Sequence, residues 1–224
     1  MKARNFNSLI RSISKDQDII GLHPPLFIGN EKRFINETIE SNYVSSVGKF
    51  VDKFEKSISS LTTSKYSIAT VNGTSALQIA LILGNVKQGD EVLTQALSFV
   101  ATSNAISYLK AKPVFIDVDI DTMGMSPLSL ESFLEEFGEK RETGTYNKLT
   151  GRKISACLPM HTFGFMCRID EIKKICFKWK INLIEDSADT LGAKIGKRTT
   201  GSYSDAEKKA AQAEINITKE IIKE

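Results

Sequence analysis

The N-terminal part of the chain shows the 3.6-residue repeat of amphipathic helices. Apolar residues share one face of a predicted helix within residues 31–41, namely Phe34, Ile35 and Ile39. A second predicted helix within residues 49–61 has its own apolar face, made of Phe50, Phe54, Ile58 and Leu61. The segment Ser45–Gly48 between them is predicted to be a loop. These patterns predict an N-terminal helical segment over residues 1–62.

From residue 63 onward, short apolar runs alternate with helical patterns. Five runs are predicted to be strands: Tyr66–Val71, Glu91–Thr94, Val114–Val118, Ile154–Leu158 and Ile181–Ile184. Each helix between them has one apolar face; the four sets are Ala76, Leu77, Ala80 and Leu81; Phe99, Ser103 and Ile106; Leu130, Phe133, Leu134 and Phe137; and Ile172, Ile175, Cys176 and Trp179. Because parallel strands need crossover helices, the pattern predicts an α/β domain over residues 63–205, with a mostly parallel sheet and helices on both faces.

Two polar stretches interrupt this alternation. Residues 138–153 contain glycines and many charges, and we expect a surface loop with no core of its own. Residues 206–224 contain good helix formers of mixed charge and no glycine or proline. They are predicted to be a divergent helical tail exposed to solvent.

Composition and charge limit the class of protein. The chain has 224 residues, of which 41% are hydrophobic and 25% charged, so it belongs with globular proteins that bury a core and not with disordered or fibrous ones. Its net charge is +3 and its basic residues are spread along the chain, so no nucleic-acid partner is predicted. Neither an apolar run of about 18 residues nor a secretory leader is visible, which predicts a cytoplasmic protein without a membrane partner.

The cysteine and histidine residues predict no disulfide framework and no metal site. The cysteines are three and widely spaced, Cys157, Cys167 and Cys176, and the histidines are His23 and His161. A reducing compartment is therefore expected. Nothing in the sequence places a base beside Cys157 or Cys167, so the cysteines are predicted to be structural.

Candidate chemistry is expected at the carboxyl ends of the strands, where ligands collect in parallel α/β sheets. After the first predicted strand comes Asn72–Ser75, which opens a helix. Gly73 permits a tight turn there, and the amides of a helix N-terminus favour an anion such as phosphate. The alternative is an ordinary helix cap by Asn72 or Thr74. Neither of the common glycine-rich nucleotide fingerprints follows the strand.

Three carboxylates follow the last predicted strand: Glu185, Asp186 and Asp189. A carboxylate that is partly desolvated there favours a cationic or proton-donating partner, and a protonated ring nitrogen is one such partner. The alternatives are helix capping by Asp186 or a salt bridge to a nearby lysine.

An aromatic residue and a histidine are expected at the same edge of the sheet. Phe99 begins a predicted helix and is placed to stack on a planar ligand, although a core position is the alternative. His161 follows the fourth predicted strand and is a possible acid or base, but we expect it to hydrogen-bond a loop backbone.

Taken together and in order, these motifs resemble a known family. The matching stretches are VNGTSALQIAL (71–81), GDEVLTQALSFVATSNAI (89–106), KPVFIDVD (112–119), LPMHTFGFMCRIDEI (158–172) and LIEDSADTLGA (183–193). They resemble the pyridoxal-phosphate-dependent sugar aminotransferases of the DegT/DnrJ/EryC1/StrS family. Residues 22–30 and 43–55 look closest to its nucleotide-sugar branch for bacillosamine and legionaminic acid biosynthesis. The resemblance covers about residues 22–205.

The resemblance implies a fold, a cofactor and site residues. The fold would be part of the large domain of a fold-type I pyridoxal-phosphate-dependent transferase. By position, Gly73, Thr74 and Ser75 match the turn that holds the cofactor phosphate, and Phe99 matches the aromatic residue stacked on the ring. Asp186 matches the carboxylate that pairs with the protonated ring nitrogen, and Asp189 occupies the position beside the ring hydroxyl.

The resemblance also implies a reaction and partners. Members transfer an amino group from glutamate to a nucleotide-linked keto-sugar in surface-polysaccharide biosynthesis, through a lysine that forms a Schiff base with the cofactor. A complete member is expected to be a homodimer.

The Schiff-base lysine is the part of the family pattern that this sequence lacks. The match ends at Asp205, and Lys208, Lys209 and Lys219 lie on a charged helical pattern that predicts solvent exposure. We therefore expect a truncated form that is poorly stable and inactive alone. The alternatives are a non-catalytic relative that binds only the cofactor or an intact subunit, and a generic α/β phosphate-binding protein.

Overall fold

A computed structural model describes residues 3–13 and 25–203 of the chain. Its helices are α1 (Ala3–Ile13), α2 (Glu31–Glu40), α3 (Lys49–Thr62), α4 (Gly73–Leu83), α5 (Val100–Tyr108), α6 (Pro127–Phe137) and α7 (Ile169–Lys178), with a 3-10 turn at Thr162–Gly164. Its strands are β1 (Glu91–Gln95), β2 (Lys112–Ile116), β3 (Gly138–Arg141), β4 (Gly144–Asn147), β5 (Lys153–Cys157), β6 (Asn182–Leu183), β7 (Lys194–Ile195) and β8 (Arg198–Thr199). The tail predicted over residues 206–224 lies outside the described residues.

The main sheet is mixed and mostly parallel, which confirms the predicted fold class. Strands β2, β1, β5 and β6 run parallel to one another. Strand β4 is antiparallel to both β5 and β3. Strand β4 pairs with Lys153 and Ile154 at the start of β5, and β6 pairs with Ala156 and Cys157 at its end. Both neighbours therefore lie along the side of β5 that faces away from β1.

Helices cover both faces of this sheet, as the alternation predicts. Val92 and Ala156 point to one face, where α4 and α5 pack. Leu93 and Cys157, the next residues along the same strands, point to the other face, where α6 and α7 pack. A strand buried on both sides must be apolar at successive positions, which is why β1 and β5 could be recognised from the sequence.

The polar stretch expected to be a loop instead forms the hairpin β3–β4, so that prediction is wrong. Thr145 and Asn147 are buried. The Thr145 hydroxyl donates a hydrogen bond to the Trp179 carbonyl. The Asn147 amide donates to Glu91 Oε2 at 2.8 Å. The hairpin joins the sheet through satisfied polar groups, which hydrophobic periodicity does not detect.

The first predicted strand, Tyr66–Val71, is not a strand in the structure. Its backbone pairs with no strand among the described residues. The amide of Ala69 donates instead to Glu55 Oε1 at 2.8 Å, which ties the segment to α3. Tyr66, Ile68 and Val71 are exposed, so these apolar residues do not mark a buried strand.

The two predicted N-terminal helices are confirmed as α2 and α3. Phe34 of α2 and Phe50 of α3 contact each other, with ring centroids 5.2 Å apart. Helix α3 is tied to the end of the described chain because Thr199 Oγ1 donates to the Thr62 carbonyl at 2.9 Å. Among the described residues, no helix is long and apolar enough to cross a membrane.

Candidate active site

Helix α4 crosses the sheet so that its N-terminus lies at the carboxyl edge. Asn182, at the start of β6, donates from Nδ2 to the Gly84 carbonyl just past the helix C-terminus, at 2.8 Å. The helix has 11 residues, and at about 1.5 Å per residue it is long enough to span the sheet. Leu77 in its first half packs in the same cluster as Ile184, which directly follows β6. Gly73 therefore lies at the same edge as the residues that follow β6.

The first turn of α4 is capped by Asn72. Asn72 has an extended backbone, and its Oδ1 accepts a hydrogen bond from the Ser75 amide at 2.9 Å, so the predicted cap is confirmed. The amides of Gly73 and Thr74 also belong to the first turn and have no acceptor within the helix. Together with the helix dipole they favour an anion at this position. The cap by Asn72 therefore does not exclude an anion at this end of the helix.

Asp186 is a buried carboxylate at this edge. The sheet continues past β5 and β6, since the Asp186 amide donates to the Pro159 carbonyl at 2.9 Å and the His161 amide donates to the Asp186 carbonyl at 3.1 Å. The Asp186 side chain accepts a hydrogen bond from Thr102 Oγ1 at 2.7 Å and a longer one from the Ala188 amide at 3.3 Å. Within residues 3–13 and 25–203, the Asp186 side chain therefore neither caps a helix nor bonds a lysine.

Burial favours the protonated form of the Asp186 carboxyl. The residue is 2% exposed, and this burial raises the pKa of its carboxyl above the ordinary value, while the hydrogen bond from Thr102 opposes the shift. Among the described residues, Asp186 takes part in no salt bridge. A carboxylate in this environment favours a ligand that brings a positive charge.

Phe99 lies next to Asp186 and is exposed. It caps α5, whose Thr102 bonds Asp186, and its own amide contacts Met160 Sδ at 3.4 Å. Met160 in turn pairs with Asp186 in an isolated β-bridge. The Phe99 side chain is 67% exposed, so the core alternative is wrong and the ring is accessible to a planar ligand.

Asp189 is exposed at the same edge. Its charge raises the pKa of Asp186, which shows that the two carboxylates are near each other. A Cβ atom on Gly164 would lie 3.4 Å from the Asp189 carbonyl, so the loop after β5 also reaches this point. Phe99, Asp186 and Asp189 are thus held together, and residues 73–75 lie at the same edge.

Glu185 lies in a group of hydrogen-bonded residues separate from the surroundings of Asp186. Its carboxylate accepts hydrogen bonds from the Tyr203 amide at 2.7 Å and the Gly201 amide at 3.1 Å, and it contacts His161 Nε2 at 3.2 Å. His161 Nδ1 accepts the Cys167 amide at 3.3 Å, so the ring proton lies on Nε2 and is donated to Glu185. The expected backbone hydrogen bond of His161 is confirmed, and its contact with Glu185 was not foreseen.

The prediction that no base lies beside Cys167 is wrong. Its Sγ is 3.4 Å from His161 Nδ1. Burial nevertheless raises the pKa of the Cys167 thiol well above its ordinary value, which keeps the thiol protonated and unreactive. All three cysteines are buried free thiols, so their predicted structural role agrees with their surroundings.

Sequence reasoning missed two polar residues that organise the edge. Thr102 supplies the hydrogen bond to Asp186. The buried Gln95 side chain donates to Thr162 Oγ1 at 2.9 Å and accepts from the amides of Met125 and Met160. Gln95 therefore ties together three loops at the carboxyl edge. A polar residue at the end of an apolar strand was the available signal.

Comparison with known proteins matches the chain to one family of aminotransferases. The family model "DegT/DnrJ/EryC1/StrS aminotransferase family" matches residues 27–218. The chain is 37% identical to the putative pyridoxal phosphate-dependent aminotransferase EpsN of Bacillus subtilis, over 82% of this chain and 45% of EpsN. It is 30% identical to the GDP-perosamine synthase of Caulobacter vibrioides, over 83% of this chain and 46% of that enzyme.

A solved structure shows the same fold. The aminotransferase from Psychrobacter cryohalolentis superposes with a TM-score of 0.70 at 30% identity, over 82% of this chain and 43% of that one. The chain therefore spans somewhat less than half the length of the relatives that it matches.

Proposed function

Because the chain belongs to the DegT/DnrJ/EryC1/StrS aminotransferase family, we propose that it serves as a pyridoxal-phosphate-dependent aminotransferase of nucleotide-linked keto-sugars. The similarity to a GDP-perosamine synthase supports a nucleotide-linked amino sugar as the product. An aminotransferase makes an amine from a carbonyl group, so the matching acceptor is a keto-sugar nucleotide. Glutamate is the proposed amino donor.

The observation that carries this proposal is the environment of Asp186. The carboxylate is buried, has a raised pKa and lies beside the exposed ring of Phe99. It lacks a cationic partner among the described residues, and a pyridinium nitrogen would supply one. The residues present therefore fit a flat, positively charged ring.

Each proposed contact has a physical task. The first-turn amides of Gly73 and Thr74 and the hydroxyls of Thr74 and Ser75 would hold the phosphate of the cofactor. Phe99 would pack against one face of the ring. Asp189, which is exposed, is proposed to lie beside the ring hydroxyl.

Pyridoxal phosphate supplies an electron sink for amino-group transfer when it is bound. Asp186 would keep the proton on the ring nitrogen, because an adjacent positive charge offsets the burial cost of its carboxylate. Thr102 would keep the carboxylate in place through its 2.7 Å hydrogen bond.

The lysine that would form the covalent link to the cofactor stays unassigned. Lys208, Lys209 and Lys219 lie outside the described residues. Because no lysine of the sequence matches the Schiff-base position of the family pattern, a second candidate is a chain that binds the cofactor without turnover or that pairs with an intact subunit. In both cases the described residues form the cofactor-holding part of the large domain.

The proposal also covers the branch of the family, the assembly and the cellular location. The stretches 22–30 and 43–55 support the bacillosamine and legionaminic acid branch, within surface-polysaccharide biosynthesis. A homodimeric assembly is proposed from the resemblance to the family. The buried free thiols agree with a reducing compartment, which supports a cytoplasmic location.

Binding and borohydride reduction of the full chain test both candidates. We expect pyridoxal phosphate to bind at least about tenfold more tightly than pyridoxal, because only the phosphate reaches the N-terminus of α4. After reduction, a pyridoxyl group on one lysine supports the aminotransferase, and binding without a covalent adduct supports the non-catalytic candidate. Equal affinity for the two compounds, or no binding of either, contradicts both.

A further inference from the structure

Helix α1 (Ala3–Ile13) lies outside the part of the chain that the family model matches, which begins at residue 27. The cofactor site described above therefore gives this helix no task. It is amphipathic, and its properties point to a binding partner that the proposed function does not include.

One face of α1 is apolar and about half exposed in the described part of the chain. Phe6, Leu9, Ile10 and Ile13 follow the spacing i, i+3, i+4 and i+7, so they form a single stripe along the helix. Phe6 is 52% exposed, Leu9 48% and Ile13 70%. An apolar stripe of this size is costly to leave in water, and a surface that covers it would be favoured.

The same segment is locally basic although the whole chain is close to neutral. The first 15 residues contain Lys2, Arg4, Arg11 and Lys15 and no aspartate or glutamate. By helical periodicity, positions 4 and 11 fall on the face opposite the stripe. An apolar face combined with a basic polar face is the pattern of helices that lie in the interface of an anionic membrane.

Two other occupants fit the stripe less well. Pairing with a second copy of α1 would need a coiled coil, and an 11-residue helix is too short for one, since a coiled coil needs about three heptads or more. Residues 206–224 contain four lysines and four glutamates, so they offer no net negative charge to the basic segment.

We propose that α1 binds the surface of anionic lipid bilayers, with Phe6, Leu9, Ile10 and Ile13 inserted at the level of the headgroups. This proposal differs from the expectation of no membrane partner, which rested on the average charge and on the absence of a spanning segment. The proposal does not depend on the aminotransferase function.

Vesicle flotation of the full chain tests this proposal. We expect binding to phosphatidylglycerol-containing vesicles at low salt, and none to pure phosphatidylcholine vesicles. Each basic residue at the surface contributes roughly a fivefold change in partitioning, so the double variant Arg4→Gln, Arg11→Gln should bind about 25-fold more weakly. The variant Phe6→Ser, Ile13→Ser should lose binding while its unfolding midpoint stays unchanged.

Matched controls make the same chemical changes elsewhere. Lys194→Gln with Lys197→Gln removes two exposed charges, and Phe177→Ser removes an exposed aromatic ring from α7. Both should bind anionic vesicles like the unmodified chain. Absence of binding, equal binding to neutral vesicles, or equal losses in the controls would overturn the proposal. Self-association without lipid that Phe6→Ser abolishes would instead identify a second copy as the occupant.

Discussion

Glu185 and Asp186 are neighbours in sequence, but their side chains serve opposite sides of the extended backbone. Asp186 meets Thr102 of α5, whereas Glu185 meets His161 and the amides of Gly201 and Tyr203. The first carboxylate is available to a ligand, and the second is satisfied by the protein. Identical chemistry in adjacent positions thus gives a candidate binding residue and a structural residue.

Removing the Glu185 carboxylate should destabilise the fold. Glu185→Ala leaves the donors of His161, Gly201 and Tyr203 without this acceptor, and each buried unsatisfied donor costs about 1–3 kcal/mol. We expect the free energy of unfolding, measured with urea, to fall by about 3 kcal/mol or more. Glu185→Gln retains one acceptor oxygen and should lose less.

Glu142 provides the matched control, since it is exposed on the turn between β3 and β4. Glu142→Ala should change the free energy of unfolding by no more than about 0.5 kcal/mol. A loss for Glu185→Ala as small as that of Glu142→Ala would show that the hydrogen bonds of Glu185 contribute little.

The buried carboxyl of Asp186 should also make stability depend on pH. Its pKa is raised in the folded state from an ordinary value of 3.8, so the folded chain binds this proton more tightly than the unfolded chain. The contribution of Asp186 to stability must therefore fall as the pH rises from 3.8 through the raised pKa. Asp186→Asn should gain stability relative to the unmodified chain over that range, in urea unfolding without cofactor. Parallel stability curves for the two proteins would contradict this account.

The elements show where sequence patterns succeed and fail. Strands β1 and β5 were predictable because they bury apolar residues on both faces, and α4, α6 and α7 because each buries its predicted stripe. The face predicted for α5 was wrong, since the helix buries Thr102, Ala105 and Ile106 while Phe99 is exposed. Hairpin β3–β4 was missed because its buried positions are Gly138, Gly144, Thr145 and Asn147, which join the sheet through small size and hydrogen bonds. Tyr66–Val71 was wrongly assigned because its apolar side chains are exposed and its backbone bonds Glu55.

The contact between Asn147 and Glu91 anchors this hairpin to the start of β1. Asn147→Asp would place a second carboxylate against Glu91 Oε2 in a buried position. We expect the free energy of unfolding at pH 7 to fall by about 3 kcal/mol, because a hydrogen bond to a charged group is replaced by repulsion.

Acid should relieve this loss, since protonation of either carboxyl removes the repulsion. Asn7→Asp makes the same change at an exposed position of α1 and should have little effect. Urea unfolding of the unmodified chain and of the Asn147→Asp and Asn7→Asp variants, at pH 7 and pH 5, checks the prediction. An Asn147→Asp variant as stable as the Asn7→Asp variant would contradict it.

At the scale of the whole molecule, the parallel sheet brings distant residues to one edge. The sequence predicted Gly73, Phe99 and Asp186 as candidate ligand contacts because they follow predicted strands or open helices, where ligands collect in such folds. It did not identify Thr102, which lies 84 residues from its partner Asp186. No local pattern records a hydrogen bond across that separation, so the support of the site became visible only in three dimensions.

In the proposed site, the buried Asp186 carboxylate pairs with the positively charged ring nitrogen of pyridoxal phosphate. Calorimetric titration of the full chain with this compound tests it directly, alongside Asp186→Asn and the exposed control Asp52→Asn. A hydrogen bond to a charged group contributes about 1.5–3 kcal/mol, so Asp186→Asn should bind about ten to a hundred times more weakly. Asp52→Asn should bind like the unmodified chain, and equal affinity of Asp186→Asn would contradict the claim.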